Sequence, residues 1–354
     1  MQDRADIYPL LYRILSAEIW GKDFSLSDEE RHLLPALFQE ARKQAVIGLV
    51  AGAFIRRNIP MTPQATARLL MWTQTVRRGN IRLNEAVVRL ASWFKEARIP
   101  LVIVKGQTLA QIYPDPLLRQ SGDIDFFCGT GRFGDARDLL ARTTGLKFLE
   151  SVPVKHEEFE YEGVIYELHR ILSIFPCKRH QKAFNRQMDE AMTRTGEIKI
   201  NDTGIPVIGP TDNILFQTAH VYHHVFREGI GLRQLCDLAL TLARYREETD
   251  TDRLRRQLEA VELLRPFRAL CQVLTDTLQL PAALLPFPLT DQDRKWGKRI
   301  REDIERLTYF GRNQVEQDEK KSRRGIILRN CRRYFALTPR HVLYIPLEMM
   351  TRGE

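Results

Sequence analysis

No run of apolar residues in the 354-residue sequence approaches the roughly 18 that a membrane-spanning helix needs, so no spanning segment is expected. Cysteine is scarce and scattered. The five residues Cys128, Cys177, Cys236, Cys271 and Cys331 form no C-x-x-C pair and no tight metal-binding spacing. That pattern excludes a disulfide-stapled scaffold and a cysteine-ligated zinc module, and it suits reduced thiols in a cytoplasmic protein. The opening MQDRADIYPLL carries acids and no uninterrupted apolar stretch, so it reads as neither signal peptide nor membrane anchor. Internal repeats and low-complexity tracts are missing too, which sets aside solenoids and disordered linkers.

What remains is an ordinary globular composition, long enough for two or three structural units at about 100–200 residues each. Lys and Arg number 54 against 45 Asp and Glu, a formal charge of +9. Such an excess favours polyanionic partners through counterion release. Acids are interspersed almost everywhere, however, so basic residues dispersed over helix surfaces are the favoured explanation. The exception is the C-terminal run Lys320, Lys321, Arg323, Arg324, Arg329, Arg332 and Arg333, beside Tyr334 and Phe335. It reads as a solvated helix face or, second, as a contact for nucleic acid or an acidic partner. Without a recognisable RNA- or DNA-binding motif, nucleic acid is not the favoured partner.

Three regions follow one another along the chain. Residues 1–95 are expected to be a helical N-terminal region: Leu10, Leu11, Ile14, Leu15 and Ile19 recur at helical spacing, as do Leu33, Leu34, Leu37 and Phe38. Asp28 is the expected cap of the second helix. A long helix is expected from about Gln64 to Ala97, with Leu69, Leu70, Trp72, Val76, Ile81, Leu83, Val87, Val88, Leu90 and Trp93 as its core face and Arg77, Arg78 and Arg82 solvated. Residues 96–209 turn to α/β texture, with strands at 101–104, 124–128, 146–150, 157–161 and 164–172, a turn at Glu162-Gly163, and helices at 107–112 and 133–142. Residues 210–354 return to helices, the first opening at Thr211 or Asp212 as N-cap. The fold class is α+β, a small mixed sheet with helices, flanked by helical regions.

Chemistry concentrates in the centre. Asp123 and Asp125 sit two apart on a strand and therefore aim two carboxylates at one spot, where a hard cation such as Mg²⁺ relieves their repulsion. Glu167 lies on a later strand with His169 on the same face; if the two strands are neighbours, three carboxylates converge. Lys105-Gly106 closes a strand and opens a helix, placing backbone N–H groups, a glycine that admits close approach, and positive charge where phosphates bind. Arg119 adds a second fixed charge in the same segment. Removing either aspartate charge, as Asp123→Asn or Asp125→Asn, is expected to leave a metal-free fold intact or slightly more stable.

The stretch Lys105-Gly106-x6-Tyr113-Pro114-x-Pro116-x2-Arg119-x2-Gly122-Asp123-Ile124-Asp125 resembles the signature of the uncharacterised nucleotidyltransferase family, within the DNA polymerase β-like nucleotidyltransferase superfamily. Glu167-Leu168-His169 resembles its third motif, and Arg233-x3-Asp237 a pattern of its helical C-terminal part, so the likeness spans most of residues 80–350. The resemblance implies a polymerase β-like core transferring a nucleoside monophosphate from a nucleoside triphosphate (NTP) to a small-molecule or protein acceptor, with pyrophosphate leaving. Mg²⁺ (or Mn²⁺) would sit on Asp123, Asp125 and Glu167, the last also a candidate base. Lys105, Gly106, Thr108, Arg119 and His220 would hold the nucleotide. Where the wider superfamily has Gly-Ser, this chain has Gly106-Gln107-Thr108, so Thr108 is the expected hydroxyl, and a longer loop from Tyr113 to Arg119 precedes the acids. The altered turn also leaves room for an alternative, a catalytically degenerate module that binds a nucleotide or a partner without turnover. His220 and His224, one helical turn apart beside His223, have the spacing of a zinc pair but no obvious third ligand. Arg233 and Asp237 are read as an i,i+4 pair.

Overall fold

Ser27, not Asp28, starts the second helix: its hydroxyl accepts the Glu30 N–H while the Glu30 carboxylate accepts the Ser27 N–H, a reciprocal capping box. The computed structural model describes residues 2–149, 154–227, 230–306 and 323–352. Its N-terminal helices are α1 (Gln2–Ile19), α2 (Asp28–Arg31), α3 (Leu34–Lys43), α4 (Ile47–Arg56) and α5 (Pro63–Glu96). The last follows from an unbroken helical period capped by the Thr62 hydroxyl, and its 34 residues make a rod of about 50 Å. Leu70 and Ile81, expected in its core face, are exposed, because they fall off the stripe defined by Leu69, Leu83, Val87, Leu90 and Phe94. Arg77, expected in solvent, instead pairs with Asp115.

The centre comprises β1 (Val102–Ile103), α6 (Gln107–Ala110), a 3-10 turn (Pro116–Leu118), β2 (Asp123–Phe127), α7 (Phe133–Thr144), β3 (His156–Tyr161), β4 (Val164–His169), α8 (Lys178–Ala191), β5 (Thr195–Ile200) and β6 (Thr203–Ile208). Four strands form one sheet in the order β1-β2-β4-β3, with β2 and β4 parallel and the outer pairings antiparallel. β5 and β6 make a separate hairpin that the sequence pattern did not suggest. No strand forms over residues 146–149, and Glu150 lies outside the described residues. The expected helix 107–112 stops at Ala110 after one turn.

The C-terminal helices are α9 (Pro210–Arg227), α10 (Leu232–Arg244), α11 (Thr251–Ala260), α12 (Leu264–Leu278), α13 (Asp291–Arg306), α14 (Arg323–Tyr334) and α15 (Pro339–Arg352). α9 begins at Pro210, ahead of the expected caps, since proline suits a first helical position; the Gly209 carbonyl accepts from Asn213 N–H at 2.8 Å. Of the basic run, Lys320 and Lys321 lie outside the described residues. Arg329 and Arg332 are exposed, and Arg333 is paired with Asp303 at 2.8 Å.

Two apolar clusters hold these elements. One joins Leu11, Ile14 and Leu15 of α1 and Val50 and Phe54 of α4 to Leu235 and Leu238 of α10 and Phe267 and Leu274 of α12, so the N- and C-terminal helices share a core. The other packs Leu90 and Phe94 of α5 under Ile124, Phe126, Tyr166 and Leu168 of the sheet. The loop leading to β2 is clamped where they meet. Asn80 Nδ2 donates to the carbonyls of Leu117 and Arg119 at 2.7 and 2.8 Å, and α4 passes so close that a Cβ on Gly48 would lie 2.3 Å from the Leu118 carbonyl oxygen. Gly48→Ala is therefore expected to destabilise the fold by about 1–3 kcal/mol through overpacking, although alanine is favoured by roughly 1 kcal/mol in a free helix. Urea denaturation checks this; a midpoint at or above that of the parent chain would show that the loop yields.

Candidate active site

A two-residue turn sets the geometry of the acids. Glu162 and Gly163 both have positive φ (51° and 70°), as a type I′ hairpin requires, so Tyr161 pairs with Val164. Counting back along the hairpin places Glu158 opposite Glu167 and His156 opposite His169. Parallel pairing with β2 then sets Asp125 directly against Glu167. With the pleat alternating, Asp123, Asp125, Glu167, His169, His156 and Glu158 share one face, while the other is the apolar face on α5.

Cationic and imidazole groups answer this concentration of acid. Lys105 Nζ lies 2.7 Å and His169 Nε2 2.8 Å from Asp125 Oδ1, on a carboxylate that is 2% exposed. His169 Nε2 is also 3.4 Å from Glu167 Oε2, with His156 Nδ1 3.5 Å away on the other side. Burial disfavours the Asp125 charge, but Lys105 and the His169 hydrogen bond prevail and hold its carboxyl well below the usual range. Asp123 goes the other way: burial, then the adjacent Asp125 charge, raises it above the ordinary aspartate value. Glu167 is lowered, burial being overcome by the His169 hydrogen bond, and Lys105 is raised because the Asp125 and Asp123 charges outweigh its burial.

These groups floor a cavity of about 330 Å³, within the range of small-molecule sites. Its other walls carry Lys155, just ahead of β3, with Gln217, His220 and His224 of α9 and Arg233 of α10. His220 is held neutral, its pKa pushed far down by burial and then by the Lys105 charge. His220 and His224 face each other with ring centroids 4.5 Å apart, but no third metal-ligating side chain joins them among the described residues. Gly106 adopts φ +61° beside the Asp123 carbonyl, the positive-φ turn for which glycine is suited.

Two expected nucleotide ligands are placed differently. Thr108 lies outside the cavity; its hydroxyl donates to the Lys105 carbonyl at 3.0 Å, and it faces a smaller cleft beside β6. Gln107 turns into α5 and donates to Asn84 Oδ1 at 2.7 Å, so the Gly-Gln-Thr turn secures α6 rather than presenting a hydroxyl. Ser121 supplies the hydroxyl that lines the cavity. Arg119 does reach the cavity wall, but its Nε and Nη2 bind both oxygens of Asp237 at 2.7 Å, and Nη1 binds Ser121 Oγ at 2.6 Å. Asp237 also accepts from the Tyr113 hydroxyl at 2.7 Å, so it ties the loop before the acids to α10 instead of serving only as a helical partner of Arg233. Arg233 donates to the Gln120 carbonyl at 2.8 Å. Lys155, His156 and Ser121 were not foreseen; the hairpin register alone would have put His156 on the acidic face.

The fold is α+β, two small sheets among helices, with the acidic cavity between the four-stranded sheet and α9 and α10. The family model described as uncharacterised nucleotidyltransferase matches residues 34–279, and the chain belongs to that family. The match starts earlier than the motifs suggest, taking in α3 and α4, and ends after α12. No curated protein matches the chain. Among solved structures, an antigenic nucleotidyltransferase-like protein from Paracoccidioides brasiliensis is similar at 15% identity over 56% of this chain and 92% of that one, with a TM-score of 0.32. No described helix is long and apolar enough to cross a membrane.

With Arg119 and Asp237 both nearly fully buried, removing one partner strands the other's charge. Asp237→Ala is expected to cost about 3–5 kcal/mol in chemical denaturation. A loss below about 1 kcal/mol, the level of an exposed ion pair, would show that the pair does not fasten this loop.

Proposed function

We propose that the cavity binds an NTP and transfers its nucleoside monophosphate to a hydroxyl of a small-molecule or protein acceptor. The observation that carries this reading is the convergence of Asp123, Asp125 and Glu167 from adjacent strands, facing Lys105 and a wall that holds Lys155 and Arg233. The donor set fits Mg²⁺ or Mn²⁺: three carboxylates on one face of adjacent strands, with burial and then the Asp125 charge disfavouring the Asp123 charge. Asp123, Asp125 and Glu167 would hold the metal, which when bound polarises phosphoryl oxygens and neutralises developing charge.

The chain's own groups account for the rest of the chemistry. Lys105 and the Gly106 backbone are placed to hold phosphate oxygens, with Lys155 and Arg233 countering the charge of the leaving pyrophosphate. Neutral His220 offers a hydrogen bond to the nucleotide without adding charge. His169 and Lys105 fix the Asp125 carboxylate in orientation from two sides. In an in-line displacement the acceptor oxygen bonds to the α-phosphorus as the bond to the bridging oxygen breaks. The acceptor proton leaves to Glu167 or to solvent.

A second reading, nucleotide binding without turnover, is favoured by one feature: Lys105 Nζ and His169 Nε2 both lie on Asp125 Oδ1, at 2.7 and 2.8 Å, an oxygen that a metal ion would need. Calorimetric titration with each NTP and Mg²⁺, together with a pyrophosphate-release assay on candidate acceptors, separates the two. Binding without release supports the second, and absence of binding by every NTP sinks both.

The same geometry splits the two aspartates, correcting the expectation that they behave alike. Asp123→Asn relieves repulsion, so in chelator it is expected to melt at or above the parent temperature while metal-dependent turnover is lost. Asp125→Asn breaks charge-assisted hydrogen bonds to Lys105 and His169 and is expected to cost about 1.5–3 kcal/mol. Thermal melts in EDTA and in Mg²⁺ check both. Equal stabilities for the two variants would contradict the charge arrangement described above.

A further inference from the structure

A second group of metal-ligating side chains lies away from the cavity. His180, in the first turn of α8, is 2% exposed, and His341, in the first turn of α15, is fully buried. Their ring nitrogens, His180 Nδ1 and His341 Nε2, are 2.8 Å apart. Glu262, in the turn between α11 and α12, brings a carboxylate oxygen to the same point, and the three ligand atoms all lie within 4.8 Å of one another. None of the three lines the cavity that holds the acids.

Two features bear on a ligand role for this cluster. The Glu262 Oε2 atom is buried without a hydrogen-bond partner, although the carboxylate as a whole faces the backbone N–H groups of Arg340 and His341 and the charge of Arg340. His341 Nδ1 is 2.9 Å from the Tyr222 hydroxyl, itself hydrogen-bonded to Thr338. The tyrosine holds the imidazole from the Nδ1 side, and a metal ion would take the place of the hydrogen bond between His341 Nε2 and His180 Nδ1.

We infer that His180, Glu262 and His341 form a zinc site that fastens α15 to α8 and to the α11–α12 turn. Two imidazoles and one carboxylate match the ligand types of four-coordinate zinc, with water in the fourth position. A tetrahedral ion with ligands at about 2.1 Å separates them by roughly 3.4 Å, so the two histidine nitrogens open by a few tenths of an ångström when it enters. The nitrogen ligands disfavour Mg²⁺; His156, Glu167 and His169 give the cavity floor the same ligand types, so zinc at the two places is told apart by variants. The inference does not depend on the reading of the cavity. His341 also lies beyond residues 34–279, the span shared with the family.

The test uses the untagged full-length chain, dialysed against chelator and then titrated with zinc or, for spectroscopy, with cobalt. The equivalent of zinc lost in His341→Gln is expected to raise the melting temperature of the parent chain, whereas zinc taken up by His156, Glu167 and His169 is retained in that variant. The cobalt form should show the intense visible absorption of a tetrahedral nitrogen and oxygen site. Glu262→Gln, which keeps the side-chain shape, is expected to weaken zinc binding at least tenfold, and His341→Gln more; Asp123→Asn is expected to bind zinc as the parent does. Absence of zinc binding by the parent chain at 100-fold excess would overturn the site even if His341→Gln failed to fold. So would undiminished binding by Glu262→Gln, or loss of binding in Asp123→Asn.

Discussion

Asp125 and Glu167 stand directly opposite each other on parallel neighbouring strands, a register that places like charges where a sheet least tolerates them. Much of the central region answers that one constraint. Lys105 follows β1 so that its ammonium reaches Asp125, and His169 lies two residues beyond Glu167 to bridge both acids. Gly106 takes its positive φ so that the chain can turn beside β2, and Gln107 anchors that turn to α5. Asp123 is disfavoured as a charge first by its burial and then by the neighbouring Asp125, which Lys105 only partly offsets.

The acids were legible in the sequence because strand periodicity is short-range: two residues apart means one face, whatever the rest of the fold does. The long α5 was legible to within a residue at each end for the same reason, an unbroken period with a capping threonine. Arg119 was legible as a position and misjudged as a role. Its partner Asp237 lies 118 residues away, and no local pattern announces a bidentate pair at that separation. Thr108 was assigned to phosphate by analogy with a Gly-Ser turn, whereas the single-turn length of α6 directs its hydroxyl back to Lys105. The β5–β6 hairpin escaped notice because Thr195–Ile208 alternates weakly, with glycines at 196 and 204 and a proline at 206 in place of β-branched residues.

Membership of the nucleotidyltransferase family and the geometry of the cavity bear on different questions. The family match covers α3 to α12 and so includes both walls of the cavity, the sheet on one side and α9 with α10 on the other. Arg119 and Asp237 couple those walls: the loop that delivers Asp123 to the sheet is bound to α10 by a buried charge pair and by the Tyr113 hydroxyl. The width of the cleft is therefore set partly by electrostatics at its rim, and a change in the tilt of α10 would be felt at the carboxylates.

The core shared by the first and last thirds of the chain has a consequence for how the protein is made. Ser16 of α1 donates to the carbonyl of Leu278 at the end of α12, and the apolar side of α1 is covered by α12. A ribosome adding roughly 5–20 residues each second delivers α12 on the order of 15–50 seconds after α1 has emerged. For that interval Leu11, Ile14 and Leu15 lack their final cover, and α3 and α4 are the early elements that pack against them. The nascent N-terminal helices are thus a natural client for chaperones that hold exposed apolar segments, and slow translation of the middle of the chain would prolong their exposure rather than help them fold.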